Sequence, residues 1–88
     1  MDWRVEFDPA ALGELERLDR QTQRDIVRYL RERIATAKDP RRFGKALRRD
    51  LAGLWRYRVG DYRIVCEISD TQLVVLVLRT AHRRQVYE

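Results

Sequence analysis

Three arginines crowd one short stretch of this 88-residue chain, WRYRVGDYRIVCEI over 55–68: Arg56 and Arg58 precede a Gly60-Asp61 pair and Arg63 follows it. The flanks read as two strands, and a two-residue Gly-Asp loop between them fixes their pairing. Val59 then faces Tyr62, Arg58 faces Arg63, Tyr57 faces Ile64 and Arg56 faces Val65. One side of the hairpin carries Trp55, Tyr57, Val59, Tyr62, Ile64 and Cys66, a core-like set. The other carries Arg56, Arg58 and Arg63. Like charges directly opposite each other destabilise a strand pair, so this face calls for an anion, either a carboxylate or a ligand phosphate. The planar guanidinium fork suits phosphate. Glu67 lies on the same face but too far along the strand from Arg63 to neutralise the pair.

A third strand over Gln72–Arg79, antiparallel to the second, returns the chain toward the Gly60-Asp61 turn. The tail HRRQVY (82–87) then emerges beside Arg58 and Arg63, so that His82, Arg83 and Tyr87 are expected to join them. Histidine suits acid–base chemistry near neutrality, and tyrosine offers a hydroxyl or a stacking ring for an unpaired base. The plainer alternatives are a solvated arginine face, a surface histidine and a frayed terminal tyrosine. Trp3, Trp55 and Tyr57 read as core, and Cys66 as a buried small hydrophobe.

Further elements must hold this face in place. Trp3, Val5 and Phe7 alternate with charged residues as in a half-buried strand. Asp8-Pro9 supplies an N-cap and a first-turn proline, and Ala11, Leu12, Leu15 and Leu18 make a helical stripe over about Pro9–Leu18. A second stripe, Ile26/Val27, Leu30, Ile34 and Ala37, extends to Lys38-Asp39-Pro40, where proline excludes helix from the residue before it. Residues 41–53, RRFGKALRRDLAG, form a basic connector. The run Leu73–Leu78 is apolar throughout, as in a strand covered on both faces. The order β-α-α-β-β-β predicts one α+β domain over 1–88, a mostly antiparallel sheet with a helical hairpin packed on one face.

Composition narrows the chemistry. The net charge is +5, and residues 1–35 hold 7 basic and 8 acidic side chains against 12 and 6 in residues 36–88. That asymmetry points to a polyanion for the C-terminal part. One Cys and one His supply neither an internal disulfide nor a metal-ligand set. The longest apolar run is far below the roughly 20 residues of a membrane helix, and Asp2, Arg4 and Glu6 interrupt any signal peptide. A soluble, cytoplasmic protein without cofactor, metal or membrane contact is expected.

The run KALRRDLAGLWRYRVGDYRIVCEI, followed one strand later by AHRRQVY, resembles the RelE branch of the RelE/ParE toxin superfamily over nearly the whole chain. The resemblance implies a RelE-like fold and the toxin of a type II toxin–antitoxin pair. It implies a metal-independent endoribonuclease, or mRNA interferase, that cuts mRNA in the ribosomal A site and stops translation. There the RNA 2′-hydroxyl attacks its own phosphate to leave a 2′,3′-cyclic phosphate. It also implies a cognate antitoxin with its own DNA-binding domain, through which alone the toxin meets operator DNA and autorepresses the operon. By position, Arg63 and Arg83 match arginines that stabilise the phosphate, and Tyr87 matches the tail tyrosine that orients the RNA. Arg56 and Arg58 stand where some members carry lysines. Arginine is a poor general base, which leaves His82, or more weakly Glu67, for the proton. Lys45, Arg48 and Arg49 are expected to grip backbone phosphates. Two alternatives are a ParE-like poison of DNA gyrase and a weakened toxin acting through antitoxin binding and autorepression.

Overall fold

The computed structural model describes residues 1–86. Strand β1 spans Arg4–Phe7, helix α1 Pro9–Glu16, helix α2 Arg20–Tyr29, β2 Lys45–Ala46, β3 Trp55–Val59, β4 Tyr62–Ser69 and β5 Val74–His82. The strands form one sheet in the order β1-β5-β4-β3-β2. β1 runs parallel to β5, and every other pairing is antiparallel. This is the expected α+β arrangement with one strand added.

Both helices start where capping chemistry dictates. The Asp8 carboxylate accepts from the Ala10 N–H, with Pro9 in the first turn, and the Asp19 carboxylate accepts from the Thr22 N–H. Ala11 and Leu15 of α1, with Ile26, Leu30 and Ile34, pack on Tyr57, Ile64, Cys66, Val75 and Val77 of the sheet to form the core. Fully burying each such aliphatic side chain contributes about 1.5–3 kcal/mol. Tyr57 brings a polar atom inside and satisfies it, its hydroxyl donating to the Pro40 carbonyl at 2.7 Å.

Four boundaries differ from the sequence reading. The second helix does not continue to Ala37: it widens into a single π turn over Leu30–Ile34, with the Ala35 N–H reaching back to the Leu30 carbonyl at 2.8 Å. Beyond that turn the Thr36 carbonyl accepts from the Trp3 N–H at 2.8 Å, a partner outside the helix. The basic connector contains the short β2, whose Lys45 and Ala46 pair with Arg56 and Trp55. The last strand starts at Val74, after Leu73 with a positive φ of 55°, and runs on to His82. On the face away from the helices, Leu51 and Leu54 of the segment before β3 and Val86 of the tail line a cavity with Val65 and Leu78. Among the described residues no helix is long and apolar enough to cross a membrane.

β5 outlasts β1, which leaves its edge without a strand partner beyond Val77. Glu14 on α1 takes over that role. Its carboxylate accepts the Thr80 N–H at 2.9 Å and pairs with Arg79.

Candidate functional site

The hairpin forms in the register its loop imposes. Val59 pairs with Tyr62, Arg58 with Arg63, Tyr57 with Ile64 and Arg56 with Val65. Gly60 supplies the positive φ of 58° that the turn needs. Arg56, Arg58 and Arg63 therefore share the face turned away from the helices. Arg56 is 9% and Arg63 7% exposed, whereas Arg58 is open to solvent. Arg63 is held in place from below, its Nη1 donating to the carbonyls of Gly60 at 3.1 Å and Tyr62 at 3.0 Å.

The electrostatics mark this as one cluster. Burial, then the charges of Arg63 and Arg58, push the Arg56 guanidinium below the usual arginine range. Burial, then Arg58 and Arg83, do the same to Arg63, with Asp61 opposing them weakly. Each guanidinium stays protonated at neutral pH, so the shifts reflect burial first and mutual repulsion second. An anion laid across the face would relieve that repulsion.

Arg83 arrives as expected. The Arg83 N–H donates to the Asp61 carbonyl at 2.7 Å, which ties the tail to the hairpin turn, and its Nε lies 3.9 Å from the Asp61 carboxylate. His82 does not join it. A β-bulge interrupts the pairing of β4 with β5: Cys66 pairs with Val77 but Val65 with Arg79, so Leu78 is an extra residue. One extra residue reverses the sides taken by everything after it. His82 consequently pairs with Tyr62 and stands edge-on to its ring, 5.6 Å between centroids, on the helix side. There it lines a cavity with Glu14, Arg17 and Thr80, and its Nδ1 accepts from the Arg84 N–H. The expectation that His82 completes the arginine face is corrected by that bulge. Glu67 is exposed and pairs with Leu76, on the far side of the bulge from Arg63. Tyr87 lies outside the described residues.

The basic face extends beyond the hairpin. β2 sets Lys45 directly opposite Arg56, so lysine and arginines share one face across three strands. Arg48 and Arg49 follow in an exposed turn after β2, and Arg49 has a positive φ of 56°. The sequence reading placed Lys45 with these two as a grip on backbone phosphates; the two-residue strand sets it opposite Arg56. Five cations are thus gathered with Asp61 as the nearby counter-charge. A surface of this charge attracts anions.

Residues 5–87 match the family model of the ParE toxin of the type II toxin–antitoxin system parDE. Toxin RelG of Mycobacterium tuberculosis is 33% identical over 87 residues, spanning 99% of this chain and 98% of RelG. Toxin RelE of the same organism is 40% identical over 74 residues, 73% of this chain and 75% of that protein. Among solved structures, a chain of the toxin–antitoxin complex RelBE2 from Mycobacterium tuberculosis superposes with a TM-score of 0.85 at 32% identity. The match covers 94% of this chain and all of that one.

Proposed function

This chain belongs to the ParE toxin family of type II toxin–antitoxin systems as a RelE-like toxin, and from that premise we propose that it is a ribosome-dependent endoribonuclease cutting mRNA in the A site. The observation that carries this reading is the cluster of Arg56, Arg58, Arg63 and Arg83 with Lys45 on one face. In the proposed reaction the RNA 2′-oxygen bonds to the adjacent phosphorus and the P–O5′ bond breaks. The 2′-hydroxyl gives up its proton, the leaving 5′-oxygen gains one, and the products are a 2′,3′-cyclic phosphate and a 5′-hydroxyl. Negative charge builds on the phosphorane oxygens as this happens. Arg63, already oriented by two backbone carbonyls, and Arg83, anchored at Asp61, stabilise it at no reorganisation cost. Arg56 and Arg58 supply further positive charge, and Arg48 and Arg49 hold neighbouring phosphates.

A cognate antitoxin is the partner in this reading, as the toxin–antitoxin complex RelBE2 has one. It would cover the arginine face with acidic side chains and bring a DNA-binding domain through which the pair represses its own operon. Induced expression in a bacterium is the test. Translation is expected to stop with cleaved mRNA, Arg63→Ala to relieve the arrest, and the neighbouring gene's product to neutralise the wild type. The family model carries the ParE name, and a ParE-like gyrase poison, the alternative the sequence resemblance left open, is the second reading. Inhibition of gyrase supercoiling by purified toxin, with mRNA left intact, would establish that reading instead.

A further inference from the structure

We infer that His82 is a positioning residue: its ring is a proton-sensitive cap that holds the turn carrying Arg83 against the hairpin. The consequence for cleavage rests on the nuclease reading; the cap itself does not. β5 ends at His82, and Arg83–Gln85 form one short 3-10 turn. His82 closes that turn in two ways. Its Nδ1 accepts from the Arg84 N–H at 3.2 Å, and its own N–H donates to the Gln85 side-chain oxygen at 3.1 Å. Its backbone is extended, with φ −61° and ψ 146°, as an N-cap requires. The Arg83 N–H then donates to the Asp61 carbonyl at 2.7 Å. That bond sets Arg83 beside the Gly60-Asp61 turn, close enough for its charge to act on Arg63.

Histidine is an unusual choice for this place. The common caps, Asn, Asp, Ser and Thr, offer an oxygen that keeps its lone pairs near neutral pH. An imidazole accepts at Nδ1 only while neutral, because both ring nitrogens of the protonated form are donors. Protonated His82 therefore turns an N–H toward the Arg84 N–H, and the cap is lost. Histidine is the side chain whose ordinary titration falls between pH 5 and 8, and His82 is the one histidine of the chain. Around the ring, Tyr62 stands edge-on from β4, Glu14 and Arg17 line the same cavity from the end of α1, and Arg83 and Arg84 follow in the chain. Glu14 is already committed to Arg79 and the Thr80 N–H. Among the described residues lining this cavity, no carboxylate is free to hold the turn in place of the lost bond. With the cap gone the turn loosens, and the arginine face loses its hold on Arg83.

A histidine that moved the substrate's proton would also make cleavage pH-dependent, and asparagine separates the two roles. It caps well, keeps its acceptor across this pH range and carries no titrating proton. Single-turnover cleavage on programmed ribosomes is compared for wild type, His82→Asn and His82→Ala. At high pH His82→Asn is expected to cleave within about 2-fold of wild type, and His82→Ala roughly 3- to 30-fold more slowly, the usual worth of an N-cap. Between about pH 8 and about pH 5, wild type is expected to fall by a similar factor relative to His82→Asn. A second readout needs no nuclease: amide resonances of the full-length toxin, labelled with nitrogen-15 and titrated over the same range. As the ring gains its proton, the Arg83 and Asp61 resonances of wild type are expected to move toward their positions in His82→Ala. In His82→Asn they are expected to stay in place. Cleavage by His82→Asn as slow as that by His82→Ala, or Arg83 and Asp61 resonances indifferent to the ring's ionisation, overturns the assignment while leaving the nuclease reading intact. A wild type that cuts no programmed mRNA overturns the nuclease reading, and the resonances then decide the cap by themselves.

Discussion

Replacing Arg58 by glutamine is expected to make the isolated toxin more stable and less active. Arg58 is exposed, stands directly opposite Arg63 and shares its face with Arg56 two residues away. Its charge is among the causes that depress both of those guanidinium groups. Cross-strand charge pairs change stability by about 0.2–1 kcal/mol each, so relieving one opposed pair and one neighbour is worth about 0.5–1 kcal/mol. With an unfolding entropy of roughly 0.18 kcal/mol/K for a domain of this length, Tm rises by about 3–5 °C. Glutamine keeps the stem of the side chain, so packing is little changed. The assay is a thermal melt by circular dichroism at low ionic strength, repeated in high salt. Screening stabilises the wild type more than the variant, and the gap narrows. A variant that melts below wild type at low salt would refute the reasoning, because the arginines would then be stabilised within the chain rather than awaiting an anion.

Other consequences follow from individual contacts. Glu14→Ala strips the Thr80 N–H of its acceptor and Arg79 of its partner; denaturant titration is expected to show a loss of about 1.5–3 kcal/mol, the worth of a hydrogen bond to a charged group. Burial pushes the Cys66 thiol up, so iodoacetamide is expected to label it only in denaturant, and fast labelling of native protein would contradict its place in the core. Hydrogen bonds from Thr22 hold the Asp19 carboxyl below the usual carboxylate range, and Arg41 does the same for Asp70. A lowered folded-state pKa gives stability that is complete above the unfolded value of about 4 and is lost as pH falls through the folded one. Acid titrations of Asp19→Asn and Asp70→Asn are therefore expected to be flatter below about pH 4 than that of the wild type.

The hairpin was legible in the sequence residue for residue, because a two-residue loop leaves one register and a buried face leaves no freedom to slip. The start of the first helix was legible for the same kind of reason: Asp8-Pro9 is a cap with a mechanism. β2 was not, since two residues show no periodicity and its pairing depends on where the connector folds. The end of α2 was missed because its apolar stripe continues past the point where the Thr36 carbonyl bonds to the Trp3 N–H. His82 was misplaced by one bulge. The chain does return to the hairpin turn as expected, but the extra residue Leu78 turns His82 to the other side.

The most direct measurement is end-mapping of an mRNA held in the A site of programmed ribosomes after mixing with purified toxin and no added metal beyond that of the ribosome. Cleavage inside the A-site codon is expected, with a 2′,3′-cyclic phosphate on the upstream fragment and a 5′-hydroxyl on the downstream one. Arg63→Ala is expected to slow it by about 10²- to 10³-fold, the worth of one preorganised electrostatic donor. Intact mRNA, or cleavage that proceeds equally well with Arg63→Ala, would contradict a nuclease centre on the arginine face.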